Sequence, residues 1–340
     1  MQCLSVAFGV ATALAASEGA LRLFATIQGP PRPNVRADAF NAPAVTVREI
    51  DENVSVAHYS VDGARLTGRA PQPDAPTVVL LGDSYIVARE VADHQTMGAV
   101  LERTAHALGH DINVRQYGWP GASPAQYLVE APNVRARWGK SPVIIALSSN
   151  DFDARAVSGQ WPRLALDNQG TASALNDLRP SHGGPAPLSV LAVLGSRQWN
   201  KMRTRAPLWA RSKTPPATNF DGVPVDSTQI ATLPRGVVRA LARAYGREVA
   251  LVYLAEVHVT DDDSTDAVYE RALLRACRLE RVTCASTRNT MLAARGEGVI
   301  VRGFPTGTLG RGHFNPAGHR LVAAELWKLL NAPPASVIAD

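Results

Sequence analysis

Four separated residues carry the chemistry that this sequence could perform. Ser84 stands in "GDS" directly after the apolar run "TVVLL". A serine just past a strand, opening a helical segment, brings a hydroxyl nucleophile to the rim of a sheet, where helix N-terminal amides favour developing negative charge. Gly121 lies in "QYGWPGASP" after the apolar "INVRQY" and lets a backbone N–H approach a ligand with no side chain in the way. Asn150 follows the buried-type run "VIIAL" and offers a neutral amide donor suited to an oxyanion. His313 lies in "GRGHFNPAGH", two residues before Asn315, a good helix N-cap, and Pro316, a good first helical residue. A loop histidine anchored by a fixed helix start suits a general base. His319 falls on that helix's first turn and reads as structural. Each residue also has a plainer reading: Asp83 or Ser84 as a helix cap, Gly121 in an ordinary turn, Asn150 in an Asx turn. A serine in "GDS" also carries phosphopantetheine in small helical carrier domains, but the strand-like "TVVLL" before it argues against that setting.

The elements that must position these residues alternate. Strand patterns cover 77–82, 112–117, 142–147, 248–254 and 281–285; helical patterns cover about 94–109, 124–135, 233–246, 265–279 and 316–330. Alternation of this kind predicts a parallel sheet with helices on both faces, and continuous apolar strands such as "PVIIAL" fit burial on both sides. The ends of such strands converge on one edge, where ligands of open α/β sheets bind. The domain spans about 77–330 and carries an insertion at about 155–232 rich in Gly, Pro, Ser and Thr, with one helical pattern near 188–202. From Leu178 to Phe220 the insertion has seven basic residues and no acidic one, which reads as a solvated surface or as a basic lid facing anions. Residues 29–76 read as a Pro-rich linker with short strands at Val45–Ile50 and Val54–His58, and 331–340 as a tail. Residues 1–28 read as a signal peptide or membrane anchor: Met1 to Ser17 carry no charge, and Ala13-Leu14-Ala15 offers a cleavage site. A buried N-terminal helix in a cytoplasmic protein is the alternative.

Of the 340 residues 46% are hydrophobic and 19% charged, enough apolar content for a core and too much for wholesale disorder. The net charge of +5 comes almost wholly from arginine, with four lysines, and no nucleic-acid-binding signature accompanies it. The three cysteines have no metal-ligand spacing. Cys277 and Cys284 either pair in an oxidising compartment or remain two buried thiols.

Taken in order, the four blocks resemble the SGNH (GDSL-type) hydrolases from about residue 77 to 330, and "SEGALRLF" is similar to the membrane-proximal stretch of bacterial members. The resemblance implies a flavodoxin-like three-layer α/β/α sandwich. It matches Ser84 to the nucleophile, His313 to the catalytic histidine, and Ser84, Gly121 and Asn150 to the oxyanion hole, and it requires no cofactor or metal. The activity implied is ester hydrolysis on an ester-bearing small molecule, carbohydrate or lipid. An exported, periplasmic or membrane-anchored site follows, with residues 1–24 meeting the membrane. Two departures stand out. Ser148 replaces the glycine that usually opens the third block, and Gly310 stands where an aspartate three residues before the histidine is usual. The expectation is a Ser–His pair lacking its usual acid, with His313 oriented by a backbone carbonyl or by a carboxylate from elsewhere, such as "TDDDSTD" at 260–266. Two alternatives remain open: a binding protein on a hydrolase scaffold, and an O-acyltransferase of envelope polysaccharide.

Overall fold

The run "TVVLLG" forms β3 (Thr77–Gly82), buried along nearly its whole length because neighbours pair with it on both sides and helices cover it. The computed structural model describes residues 45–49, 52–152, 162–167, 170, 172–175, 227–246, 248–257 and 264–338, together with helical residues 12–17 and 19. The described residues within 37–178 and 217–340 form one compact unit. Most of the N-terminal segment, the basic stretch and the 188–202 pattern lie outside the described residues. Among the described residues no helix is long and apolar enough to cross a membrane.

The central sheet contains β4 (Asn113–Gly118), β3, β5 (Val143–Leu147), β8 (Ala250–Tyr253), β9 (Thr283–Ser286) and β10 (Val337–Ile338), in that spatial order. Every pairing in it is parallel. The first strand is thus flanked by the second and third, which is the flavodoxin order with a short sixth strand added at the edge. Helices α2 (Met97–Ala107), α6 (Arg288–Gly296) and α7 (Pro316–Leu330) pack together, as do α3 (Pro124–Trp138), α4 (Ser227–Tyr245) and α5 (Ser264–Glu280). The fold is the three-layer α/β/α sandwich. Because the order reverses between β4 and β5, the carboxyl end of β3 lies at the switch point where open sheets of this kind bind ligands.

Several boundaries differ from the sequence expectation. α4 starts at Ser227, ahead of the expected 233, and carries Pro234 inside it. α6 was not expected; it is short and buries only Met291 and Ala294. Inside the insertion an antiparallel pair forms, β6 (Arg163–Leu166) with β7 (Ala172–Leu175). The supposed tail supplies β10. Cys277 and Cys284 form a disulfide that ties α5 to β9.

The stretch expected as a linker contributes, in its described part, an antiparallel hairpin. β1 (Val45–Glu49) pairs with β2 (Ser55–Tyr59), Glu49 opposite Ser55. Ala57 and Tyr59 pack against Val87. The hairpin and the strand-like residue after it also take five consecutive carbonyls. Tyr59 Oη donates to Val87, Arg65 to Ala88 and Val91, Ser55 to Arg89, and Asn53 to Glu90. That segment directly follows the helix that Ser84 opens, and the hairpin is fixed to it.

Candidate active site

Ser84 is the first residue of α1 (Ser84–Val87), immediately after β3. Asp83 is the cap, its side chain accepting the Tyr85 N–H at 3.0 Å. The helix stops after one turn because Ala88 adopts a left-handed conformation, φ 49°. A single turn has almost no macrodipole, so the expected help from a helix N-terminus is small here. Close packing places this turn: a side chain on Gly118 would collide with the backbone of Val87, and Gln116 Nε2 donates to the Ile86 carbonyl.

Asn150 sits in a short turn, Ser149–Asp151, at the end of β5. Its Nδ2 donates to Asp83 Oδ2 at 3.2 Å, and the Ser148 hydroxyl donates to its Oδ1. The serine that departs from the glycine of the third block therefore fixes which way the amide faces. Asp151 Oδ2 accepts the Ser148 N–H at 2.7 Å and closes the turn. Asp83 is only 2% exposed, and burial pushes its carboxyl up, against the hydrogen bonds from Tyr85 and Asn150 and the charge of His313.

Gly121 follows β4 in a loop with φ 70°, a backbone region that favours glycine. The loop is tied to the strand that leads to Ser84, since Trp119 N–H donates to the Gly82 carbonyl at 3.0 Å.

His313 precedes α7 as expected. Asn315 caps that helix, its Oδ1 accepting from Ala317 and Gly318 N–H, while its Nδ2 donates to the Ile300 carbonyl. The loop is pinned from below by Arg302, 1% exposed and stacked against the rings of Tyr85 and Phe314, at 4.9 and 4.4 Å. Arg302 also donates to Tyr85 Oη at 2.6 Å and to the Gly312 carbonyl at 3.0 Å. The Tyr85 ring centroid lies 5.4 Å from that of His313. Ser84 is thus bracketed: one chain neighbour, Asp83, is bonded to Asn150, and the other, Tyr85, lies beside His313.

Of the two orienting groups expected, a backbone carbonyl or a carboxylate from elsewhere, the structure has the carboxylate, from outside the four blocks. Glu52 Oε1 accepts from His313 Nδ1 at 2.8 Å and Oε2 from the His313 backbone N–H at 3.0 Å. Position 310 indeed supplies no acid, but the imidazole is not left as a bare partner of the serine. Asp261 to Asp263 lie outside the described residues. With the proton on Nδ1 given to Glu52, Nε2 is the free acceptor. A second carboxylate, Glu90 Oε1, stands 3.4 Å from the same Nδ1. Burial pulls the imidazole's pKa down, but the Glu52 hydrogen bond and the charges of Glu90, Glu52 and Asp83 outweigh it, and it is pushed up to about 9. His319 is the opposite case: burial, with the charges of Arg65 and His313, pulls it down to about 3, and it stays neutral inside α7. Among the described residues no group of three His, Cys, Asp or Glu side chains is placed to hold a metal ion.

No protein-family model and no curated protein matches the sequence. Among solved structures, the chain is similar to a member of the lipolytic G-D-S-L family from Veillonella parvula, with 15% identity, a TM-score of 0.43, and 76% of this chain and 100% of that one covered. It is similar to a lipase/acylhydrolase from Enterococcus faecalis, with 13% identity, a TM-score of 0.42, and coverages of 76% and 98%. The acetyl xylan esterase AlAXEase has 12% identity, a TM-score of 0.41, and coverages of 74% and 98%.

Proposed function

We propose that the chain is a serine ester hydrolase of the SGNH type, working through Ser84, His313 and Glu52. The observation that carries this reading is the Glu52 carboxylate on His313 Nδ1 at 2.8 Å, with the histidine beside the residue that follows Ser84. Ser84 Oγ attacks the ester carbonyl carbon as His313 Nε2 takes its proton. Glu52 holds the ring in the tautomer that leaves Nε2 free and stabilises the imidazolium as it forms. The backbone N–H groups of Ser84 and Gly121 and the Asn150 amide receive the oxyanion, each donor of this kind contributing about 10²–10³ in rate. Collapse of the tetrahedral intermediate breaks the ester C–O bond. The imidazolium gives its proton to the leaving alcohol, and an acyl-serine remains. Water, or a second alcohol, then attacks the acyl-serine with His313 again as base, releasing the acyl group and regenerating the hydroxyl.

The acid matters for choosing between readings. A scaffold that had lost its orienting carboxylate would favour a binding role; the Glu52 carboxylate on His313 supports the hydrolase reading instead. The Cys277–Cys284 disulfide supports residence in an oxidising compartment outside the cytosol. The test is covalent labelling with a fluorophosphonate together with hydrolysis of p-nitrophenyl acetate. Wild type should label and turn over, and Ser84→Ala should do neither. A wild-type protein inert in both assays would overturn the reading.

A further inference from the structure

Glu90 is a buried carboxylate that the mechanism above does not use. It is 7% exposed, its Oε1 points at His313 Nδ1 from 3.4 Å, and its Oε2 is buried with no hydrogen-bond partner. A half-satisfied buried carboxylate is costly to keep unless a nearby positive charge offsets it. His313 is the group that can supply that charge, in the imidazolium form that acyl transfer creates. The backbone gives Glu90 little room to turn away. Its own carbonyl accepts from Asn53 Nδ2 at 2.8 Å, and the next carbonyl, of Val91, accepts from Arg65 at 2.8 Å. Asn53 is the residue after Glu52, so one hydrogen bond joins the two segments that carry the two carboxylates.

We propose that Glu90 is a positioning residue that shares the Nδ1 proton of His313 with Glu52, so that either carboxylate orients the imidazole when the other is lost. This rests on His313 being the general base. The two acids arrive by different routes. Glu90 follows Ser84 by six positions on the same segment, whereas Glu52 comes from the tip of the N-terminal hairpin. Around them, Asp83 and Tyr85 face the histidine from the end of β3 and from α1. Arg302 lies beyond Tyr85, Glu49 acts on Glu90 from β1, Glu256 acts on Asp83 and Tyr85, and Arg65 and the neutral His319 complete the surroundings. Burial pushes the Glu90 carboxyl up and the His313 charge pulls it back, as expected for an acid whose charge is useful mainly when the imidazole is protonated.

The experiment compares wild type with Glu52→Gln, Glu90→Gln and the double variant, by kcat/KM on p-nitrophenyl acetate and by NMR titration of the His313 ring. Each single variant should lose about tenfold and the double about 10⁴, a loss well beyond the product of the two. The His313 titration should move to lower pH in each single variant and furthest in the double. In the Glu52→Gln background, Glu90→Asp keeps the charge but withdraws it, and should give an intermediate loss. A double variant no slower than Glu52→Gln alone would overturn the proposal, as would a Glu90→Gln protein whose His313 titrates as in wild type. The titration needs no turnover, so it decides the role of Glu90 even if the wild type proves inert and the hydrolase reading fails.

Discussion

Gly312 lies directly against the carboxylate of Glu52: a methyl group on its α-carbon would stand 2.6 Å from Oε2 and 3.2 Å from Oε1. The close approach works because position 312 has no side chain and because glycine tolerates its φ of 83°. Gly312→Ala should therefore act on the acid more than on the fold. We expect kcat/KM to fall about tenfold, the loss expected for removing Glu52 while Glu90 remains, and stability to fall by about 1 kcal/mol from the strained backbone. Steady-state kinetics and thermal melts of Gly312→Ala with and without Glu52→Gln check this; a further tenfold loss in the combined variant would count against it.

Restoring the aspartate that the third-last position before the histidine usually carries should not help. Gly310 has φ 80°, where a side chain is strained, and the Nδ1 that an acid there would serve is already held by Glu52. Gly310→Asp is expected to leave turnover unchanged or lower and to cost about 1 kcal/mol of stability, read from denaturant melts. A clear gain in kcat would mean that Glu52 does not do the orienting.

The pH dependence follows from the raised pKa of His313. The base must be neutral to take the serine proton, so kcat/KM should climb with unit slope and level off above about pH 9. At pH 7 the enzyme should run at roughly a hundredth of its plateau. Stability runs the other way. A histidine whose folded pKa exceeds its unfolded value contributes stability that is complete below about pH 6.5 and is lost as pH rises through about 9. Activity is thus gained across the window in which this contribution disappears. A rate profile with its midpoint near 6.5 would contradict the geometry around the imidazole.

Ser148 gives a prediction about the oxyanion side. Its hydroxyl holds Asn150 Oδ1 and so keeps the amide N–H groups turned toward Asp83 and the site. Ser148→Ala should lower kcat about tenfold with KM little changed, the pattern of an interaction realised mainly in the transition state. A variant that raised KM alone would place Ser148 in ordinary substrate binding instead.

How far the sequence carries depends on how local each signal is. Val143–Leu147 is legible as a strand because all five residues are buried on a two-sided sheet, and such a strand must read as a continuous apolar run. The His313 loop is legible because Asn315-Pro316 marks a helix start by its own chemistry. Glu52 carries no such mark. It is one acidic residue in a polar stretch, and its role depends on a hairpin folding back across 261 positions of sequence. One signal was present: "VTVRE" and "SVAHY" are short alternating segments separated by five residues that include Asp51 and Glu52, a hairpin spacing in the sequence. That would have narrowed the search for the acid to two residues without saying where the tip lands. Arg302 was invisible for a similar reason, since its value lies in the two rings and the carbonyls it joins.

The contact between residues 52 and 313 also sets a timetable. On a ribosome Glu52 emerges among the first parts of this unit and His313 among the last, after five of the six strands of the central sheet have been made. A nascent chain can complete the turn that Ser84 opens and clasp it with the hairpin long before His313 exists. The proposed site is therefore assembled in one step, when the last part of this unit is made, and a chain stalled or terminated before it holds Ser84 without its proposed base.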